Sequence, residues 1–454
     1  MDNLHKPKVA IVGAGLTGLT AAFYLQKAGV DIHVFEKTDR AGGTIKTNTE
    51  NGFIFESGPN TGVLGQPEVM ELIEDLAGDC KLEIADAAAK SRWIWKTGKW
   101  EQLPSGLIGG IKTPLFTFFD KLRLLGEPFR KQGTNPNETL NDLVLRRMGK
   151  SFLDYAVDPF ILGIYSGNPA KLVPKYALPK LYRLEHDYGS FIGGSLKKAL
   201  QPKTNRDKKA TREIFSVKDG LQNLINALVK NIGEEKISLN CKALFFEKTE
   251  VGFKANNCNK TFLHVISTVG AYELPQLFPF IATEKADLIN RLEYAKVVQV
   301  TLGFKTWEGI KLKAFGGLVP SKENRDILGV LFLSSFLKNR APKGGALLSV
   351  FLGGVRKPEM IELSDNQISD IVKKEITEMM KLEKFNPDLL KISRHQHAIP
   401  QYGIESEQKI KVIEELEKTY PELILAGNIR DGIGMADRIK QGNVMATQII
   451  ETKI

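Results

Sequence analysis

The stretch Lys8–Gly18, KVAIVGAGLTG, runs an apolar strand straight into a turn with glycines at 13, 15 and 18, and then into an Ala/Leu-rich helix. Gly13 permits the sharp turn, Gly15 lets backbone approach a pyrophosphate, and Gly18 lets helix and strand pack closely. The segment Gly13, Ala14, Gly15, Leu16, Thr17, Gly18 therefore reads as a dinucleotide site. Its diphosphate would rest on the helix N-terminus, where free N–H groups and the macrodipole favour negative charge. A second strand, VDIHVFE, ends at Glu36, whose carboxylate suits a ribose hydroxyl and would repel a 2′-phosphate.

A second glycine loop follows closely in DRAGGTIKT, with the doublet Gly42 and Gly43 before Thr44. Two such loops beside one ribose acid imply a long dinucleotide cradled from two sides, which points to FAD. NGFIFESGPNT then reads as a strand entering a tight turn at Gly58, Pro59 and Asn60. The chain closes with LILAGNIRDGIGMADRIKQGNVMATQII, again strand, Gly-rich turn and helix. This second helix N-terminus is expected at the electron-rich N1 and C2 carbonyl end of a flavin.

With 454 residues the chain exceeds a single hydrophobic core, so two or three domains are expected. Three cysteines, Cys80, Cys241 and Cys258, without CxxC spacing, suit a reducing compartment. The first core strand starts too early to leave room for a secretory leader, and no apolar run approaches the ~18 residues of a spanning helix. A cytoplasmic chain is the expectation. The net charge of +10 is spread through mixed-charge segments; the one dense basic run, KTNRDKKATR at 203–212, lacks interleaved aromatics and reads as a solvated loop, not a nucleic-acid surface.

Residues 104–200 read as helices rich in apolar and basic residues. Within them, 106–129 is amphipathic and suits either packing as core or an anionic membrane interface, with a dimer interface or a product exit as further uses; Phe116 and Phe119 are the side chains whose replacement would test an interfacial role. IFSVKDGLQNLINALV reads as strand, turn and helix, and ISLNCKALFFEKTEVGFKA as a hairpin. Residues 294–355 are strand-rich, followed by helices at 364–381 and 405–418. His395 and His397 form an HxH pair on a strand-like segment; with no third ligand in sight they read as structural, and no metal is expected.

These motifs in this order resemble the flavin amine oxidase superfamily. DYAVDPFILGIYSGNPAKL (154–172), GPNT (58–61), FGGLVPS, RAP (340–342) and AGNIRDGIGMADRIKQG (426–442) resemble, within it, the oxygen-dependent protoporphyrinogen oxidases of haem synthesis. The resemblance runs from about residue 8 to the end. It departs from the family at GGTIKT, where the wider superfamily has GGR, so the phosphate contact falls to Arg40 or Lys46. It departs again at Asp431, Gly434 and Met435, where small residues are common.

The resemblance implies an α/β (α+β) fold of the p-hydroxybenzoate hydroxylase type. A Rossmann-like FAD-binding domain (1–90, 212–292, 395–454) would carry a β-rich substrate domain (91–103, 293–394) and an inserted helical, membrane-associating domain (104–211). It implies six-electron oxidation of protoporphyrinogen IX to protoporphyrin IX, by hydride transfer to flavin N5 and reoxidation by O2 to H2O2. Coproporphyrinogen III is the alternative substrate; an amine oxidase or carotenoid desaturase is a more distant reading. Arg92 is the position implied for a substrate propionate, and Leu318, Leu331 and Phe351 the apolar walls. Lys37 and Ala243, with Ile433, Gly434 and Met435 beside Gly427, join the cofactor contacts, and Asn60 is a polar contact at the flavin ring. Implied partners are the porphyrinogen, O2, the cytoplasmic face of the inner membrane and the next haem-pathway enzyme.

Overall fold

A computed structural model describes residues 9–104, 109–110, 112–258 and 260–452. Lys8 and residues 106–108 and 111 of the amphipathic segment lie outside them. Val9–Val12 is buried along its whole length because it has parallel neighbours on both sides, Ile32–Phe35 and His264–Ser267. Ile237–Ser238 and Leu423–Leu425 complete a five-stranded parallel sheet as its edges. The predicted hairpin therefore begins later than its sequence alternation suggests. Ile237–Ser238 joins the parallel sheet, and Phe246–Thr249 pairs with Gly252–Ala255 and then Thr261–Phe262.

The helix Leu16–Lys27 packs against the final helix, Met435–Glu451. Their approach is close because Gly442 has no side chain: a Cβ there would stand 2.6 Å from the Thr17 carbonyl oxygen.

A second sheet has seven strands in the spatial order Leu389–Pro400, Tyr294–Phe304, Ala346–Gly353, Ile327–Phe332, Gly316–Leu318, Trp93–Lys96, Lys99–Gln102. One face is sealed by the helix Asp365–Met380, whose Ile368, Val372, Ile376 and Met379 share a core with Val298, Val300, Val350 and Leu352. Ser364 and Gln367 cap that helix reciprocally. The strand Leu389–Pro400 is hydrogen-bonded to Tyr294–Phe304 from end to end, so the boundary expected between 394 and 395 falls inside a strand.

Short helices between 118 and 199 surround a buried guanidinium: Arg147 is fully enclosed and bonded to Glu127 and Glu185. Phe116 takes the core alternative of the two, being 6% exposed and stacked on Phe152 at 4.2 Å. The outward side chains are Phe118, Phe119, Leu122, Leu125 and Phe129, on and just after a helix capped by Thr117. The basic run is not a free loop either. Asn205–Lys208 is a capped helical turn, where Arg206 grips Glu68 and Glu71 at 2.9 and 2.7 Å and Lys209 grips Glu74 at 2.6 Å.

Candidate active site

Gly13 has φ +101°, and a Cβ there would stand 2.7 Å from Thr268 Oγ1. A Cβ on Gly18 would stand 2.0 Å from the Gly13 oxygen. Gly15, by contrast, faces open space, and no side chain caps the helix it begins, so the first N–H groups point into that space. The glycine doublet closes over the same spot. Gly42 N–H donates to the Ala14 carbonyl at 2.7 Å, and a Cβ on Gly43 would lie 3.3 Å from Gly15 Cα.

Arg40 holds the doublet loop through its own carbonyls, donating to Gly43 at 2.6 Å and Ile45 at 2.8 Å. Lys46 is exposed, as is Thr44. Glu36 is 7% exposed; its carboxylate accepts from Ala14 N–H at 2.8 Å and from the Thr38 backbone and hydroxyl at 2.9 and 2.8 Å. Lys37 turns to Glu273, at 2.7 Å. Ala243 is exposed just beyond Cys241, whose N–H bonds the Glu36 carbonyl at 2.8 Å.

Thr268 gave no signal in the sequence, yet it joins the first glycine turn to the last. Its hydroxyl donates to the carbonyls of Val12 and Gly13 at 2.9 and 3.1 Å, and a Cβ on Gly427 would meet its carbonyl oxygen at 2.6 Å. The last turn is braced from inside by Arg438, which is 9% exposed and donates to the carbonyls of Gly427, Arg430 and Asp431. Burial pushes that guanidinium below its ordinary value. Tyr402 OH donates to the Asn428 and Gly432 carbonyls at 2.7 and 3.0 Å, and burial pushes the phenol up. These two braces leave Gly434 to begin the final helix with no side-chain oxygen of its own, beside half-buried Ile433 and buried Met435.

The Gly58–Pro59–Asn60 turn packs on the doublet loop, since a Cβ on Gly58 would stand 2.0 Å from the Thr44 oxygen. Asn60 is 6% exposed, and its Oδ1 is buried without a hydrogen-bond partner. Open space at Gly15, an uncapped helix start and an orphaned amide oxygen fit a dinucleotide bearing a polar ring.

The face of the seven-stranded sheet opposite the sealing helix carries the expected substrate residues. Across three adjacent strands, every residue is buried except Leu318, Leu331 and Phe351, which are half-exposed. The register explains why. Leu318 lies opposite Gly329, Leu331 opposite Gly316 and Ser349, and Phe351 opposite Gly329, so all three project from one face of the sheet, each beside a residue with little or no side chain. Ile94 lies beside Leu318, and alternation along that chain brings Arg92 to the same face. The Arg92 guanidinium lies over the Phe315 ring at 5.5 Å, burial lowers its pKa, and among the described residues no carboxylate pairs with it.

The helix Asp158–Tyr165 packs on this face at Leu318, 2.6 Å from where a Cβ on Gly163 would stand. Asp158 is 5% exposed and accepts from the Ser321 backbone at 2.7 Å and from Arg356 at 2.7 Å, which ties the helix to the sheet. Ser166 ends it at φ +46°, and its carbonyl accepts from Val355 N–H at 2.9 Å. The DPF and SGN elements of the sequence are thus the two anchors of this helix. Among the described residues no cluster of His, Cys, Asp or Glu could hold a metal ion.

Residues 16–450 match the family of flavin containing amine oxidoreductases. The chain is 29% identical to the mitochondrial protoporphyrinogen oxidase of Nicotiana tabacum, over 98% of this chain and 94% of that one. It is 25% identical to the coproporphyrinogen III oxidase of Bacillus subtilis (strain 168), over 98% of each. A crystal structure of a candidate protoporphyrinogen oxidase from Exiguobacterium sp. 255-15 superposes with a TM-score of 0.82 at 23% identity, covering all of both chains.

Proposed function

The chain belongs to the flavin-containing amine oxidoreductases, and from that premise we propose that it oxidises protoporphyrinogen IX to protoporphyrin IX. It is an oxidoreductase, its cofactor is FAD, and its fold is the mixed α/β fold of FAD-dependent oxidases. The observation that carries the substrate reading is the row Leu318, Leu331, Phe351: three apolar side chains left half-exposed on otherwise buried strands, on the face that also bears the unpaired Arg92. A flat, apolar macrocycle with carboxylate arms suits such a surface.

When bound, FAD supplies the electron acceptor and the reactivity toward O2. The protein's own work is binding, orientation and exclusion of water. The loops at 13–18, 40–44, 58–60 and 427–435 hold the cofactor, with Glu36 on a ribose. Arg92 takes a propionate, and the helix Asp158–Tyr165 bounds the apolar face at Leu318. Residues 9–90, 212–292 and 401–452 form the cofactor unit in this reading, and the seven-stranded sheet, continued to Pro400, the substrate unit.

Coproporphyrinogen III is the second reading, favoured by the full-length likeness to the Bacillus subtilis enzyme. The apolar walls beside the Arg92 guanidinium favour the substrate with two propionates over the one with four. Fluorescence-detected porphyrin formation in air, with each porphyrinogen in turn, separates the two; inactivity on both refutes the proposal. Amine oxidation is disfavoured at the aromatic cluster whose Tyr294 reaches Asn428 of the last turn. Tyr272 stacks on His397 at 3.9 Å and meets Tyr294 edge-on at 5.5 Å, so these rings pack on one another and leave no facing pair for an ammonium group.

We also place the protein peripherally on the cytoplasmic face of a membrane. Phe118, Phe119, Leu125 and Phe129 are 68%, 80%, 66% and 91% exposed beside Arg123, Arg130 and Lys131, a composition suited to an anionic interface. Among the described residues no helix is long and apolar enough to cross a membrane.

A further inference from the structure

Two buried polar atoms border the Ser57–Asn60 turn without a hydrogen-bond partner: Asn60 Oδ1 and His395 Nε2. The ladder shows where His395 points. It lies opposite Val297, and two residues along that strand Gln299 donates from Nε2 to the Glu56 carbonyl at 2.9 Å. Opposed residues of an antiparallel pair share a face, as do residues two apart. His395 is therefore on the side of the sheet where Glu56 and the turn after it lie, the same side as Phe351, which is opposite Gln299.

Ser57 backbone reaches the imidazole, and burial nevertheless pushes it below its ordinary value. A neutral ring has one N–H and one bare nitrogen, so it can serve a donor or an acceptor. A buried polar atom with no partner costs about 1–3 kcal/mol, and native sites seldom keep one without a ligand or water to meet it. His397 differs: it is exposed, and its ring is used up in the stack with Tyr272. Beyond that stack, Tyr294 OH donates to Asn428 Oδ1 at 3.3 Å. The strand carrying both histidines thus runs along the seam between the Asn60 turn and the Asn428 turn.

We propose that His395 Nε2 is a direct hydrogen-bond contact to the polar edge of the flavin ring, orienting it together with Asn60. The assignment rests on FAD binding in this seam and is independent of which porphyrinogen is oxidised.

FAD titrated into the apoprotein tests it. For His395→Phe, the Kd for FAD is expected to rise about tenfold, the size of one buried hydrogen bond. The visible flavin bands should shift, while the melting temperature of the apoprotein stays unchanged. His395→Gln, whose amide reaches about as far as Nε2, is expected to remain within about threefold of wild type, and the shorter His395→Asn to behave like His395→Phe. Equal Kd values and spectra for wild type and His395→Phe overturn the assignment. So does an apoprotein melting temperature that falls alike in all three variants, the mark of a packing role. Should His395→Phe not fold, equal Kd values for the Gln and Asn variants overturn it. A wild-type protein that takes up no FAD refutes the cofactor reading instead.

Discussion

Gly163 packs directly on Leu318: a Cβ on this glycine would stand 2.6 Å from Leu318 Cδ2. The helix Asp158–Tyr165 touches the proposed substrate wall there, and Asp158 and Ser166 fix its two ends, so it cannot simply back away. Gly163→Ala should therefore displace the Leu318 side chain. The added methyl gains up to about 1 kcal/mol of helix propensity and loses about 1–3 to overpacking. The expected result is a KM raised several-fold with FAD content unchanged, read from initial rates and the flavin absorbance of the purified variant.

Arg92 has an aromatic ring but no carboxylate for company. A charged hydrogen bond to a propionate contributes about 1.5–3 kcal/mol, so Arg92→Ala should lower kcat/KM by about ten- to a hundredfold. The contact is present in bound substrate and transition state alike, so the loss should fall mainly on KM. Arg92→Lys keeps the charge without the fork and should recover only part of it. Steady-state kinetics with the porphyrinogen measures both.

The glycine loop makes a sharper demand. A methyl at Gly18 would stand 2.0 Å from a carbonyl oxygen of the backbone, which has no freedom to yield. Gly15→Ala, in open space, spares the fold and obstructs only the ligand. Gly18→Ala should lower the melting temperature of the apoprotein, and Gly15→Ala should leave it near wild type while weakening FAD binding. Differential scanning fluorimetry with and without added FAD separates the two effects.

The parts of the site legible in the sequence are those where backbone geometry forces residue type. Gly13, Gly18, Gly58 and Gly427 are each places where a Cβ would strike backbone or the Thr268 hydroxyl, and glycine is visible in a string of letters. Leu318, Leu331 and Phe351 could be named only through the family resemblance, for a half-exposed wall and a core residue have the same letters. What distinguishes them is a register against glycines in neighbouring strands, which is set by tertiary pairing. Thr268, Arg438 and Tyr402 were illegible for a similar reason: each bonds backbone carbonyls far from it in the chain or buried beneath it. Phe116 and Phe118 show the limit of amphipathic patterning. The helix begins after Thr117, so Phe116 lies in the preceding turn and is drawn inward onto Phe152.

His33 gives the parallel sheet a pH dependence. Burial, followed by the nearby Lys260 charge, lowers its pKa to about 4, and its Nε2 lies 2.8 Å from Ser238 Oγ across the edge strand. The unfolded chain takes up this proton near pH 6.5 and the folded chain only near 4. Stability from this group is thus complete above 6.5, declines as pH falls through that window, and is fully lost below about 4. At ~1.4 kcal/mol per pKa unit the loss is of order 1–3 kcal/mol after allowance for solvent screening. Urea denaturation at pH 7 and pH 5 should show the wild type weaker at the lower pH, and His33→Gln should flatten that difference.

The exposed aromatic group tests the membrane reading, provided the right residues are changed. Phe116→Glu would bury a charge beside Phe152 and measure folding, because Phe116 is 6% exposed. Phe118, Phe119 and Phe129 are 68%, 80% and 91% exposed, so glutamates there should cost little stability. Each buried aromatic contributes about 1.5–3 kcal/mol to partition, and anionic lipid adds about 1 kcal/mol per nearby basic residue. Phe118→Glu/Phe119→Glu/Phe129→Glu should therefore reduce cosedimentation with phosphatidylserine-containing liposomes by tenfold or more by this estimate, with the melting temperature unchanged. Added salt should weaken wild-type binding as well, since the basic side chains act through screened charge. Undiminished binding by the triple variant would mean that this surface does not meet the lipid.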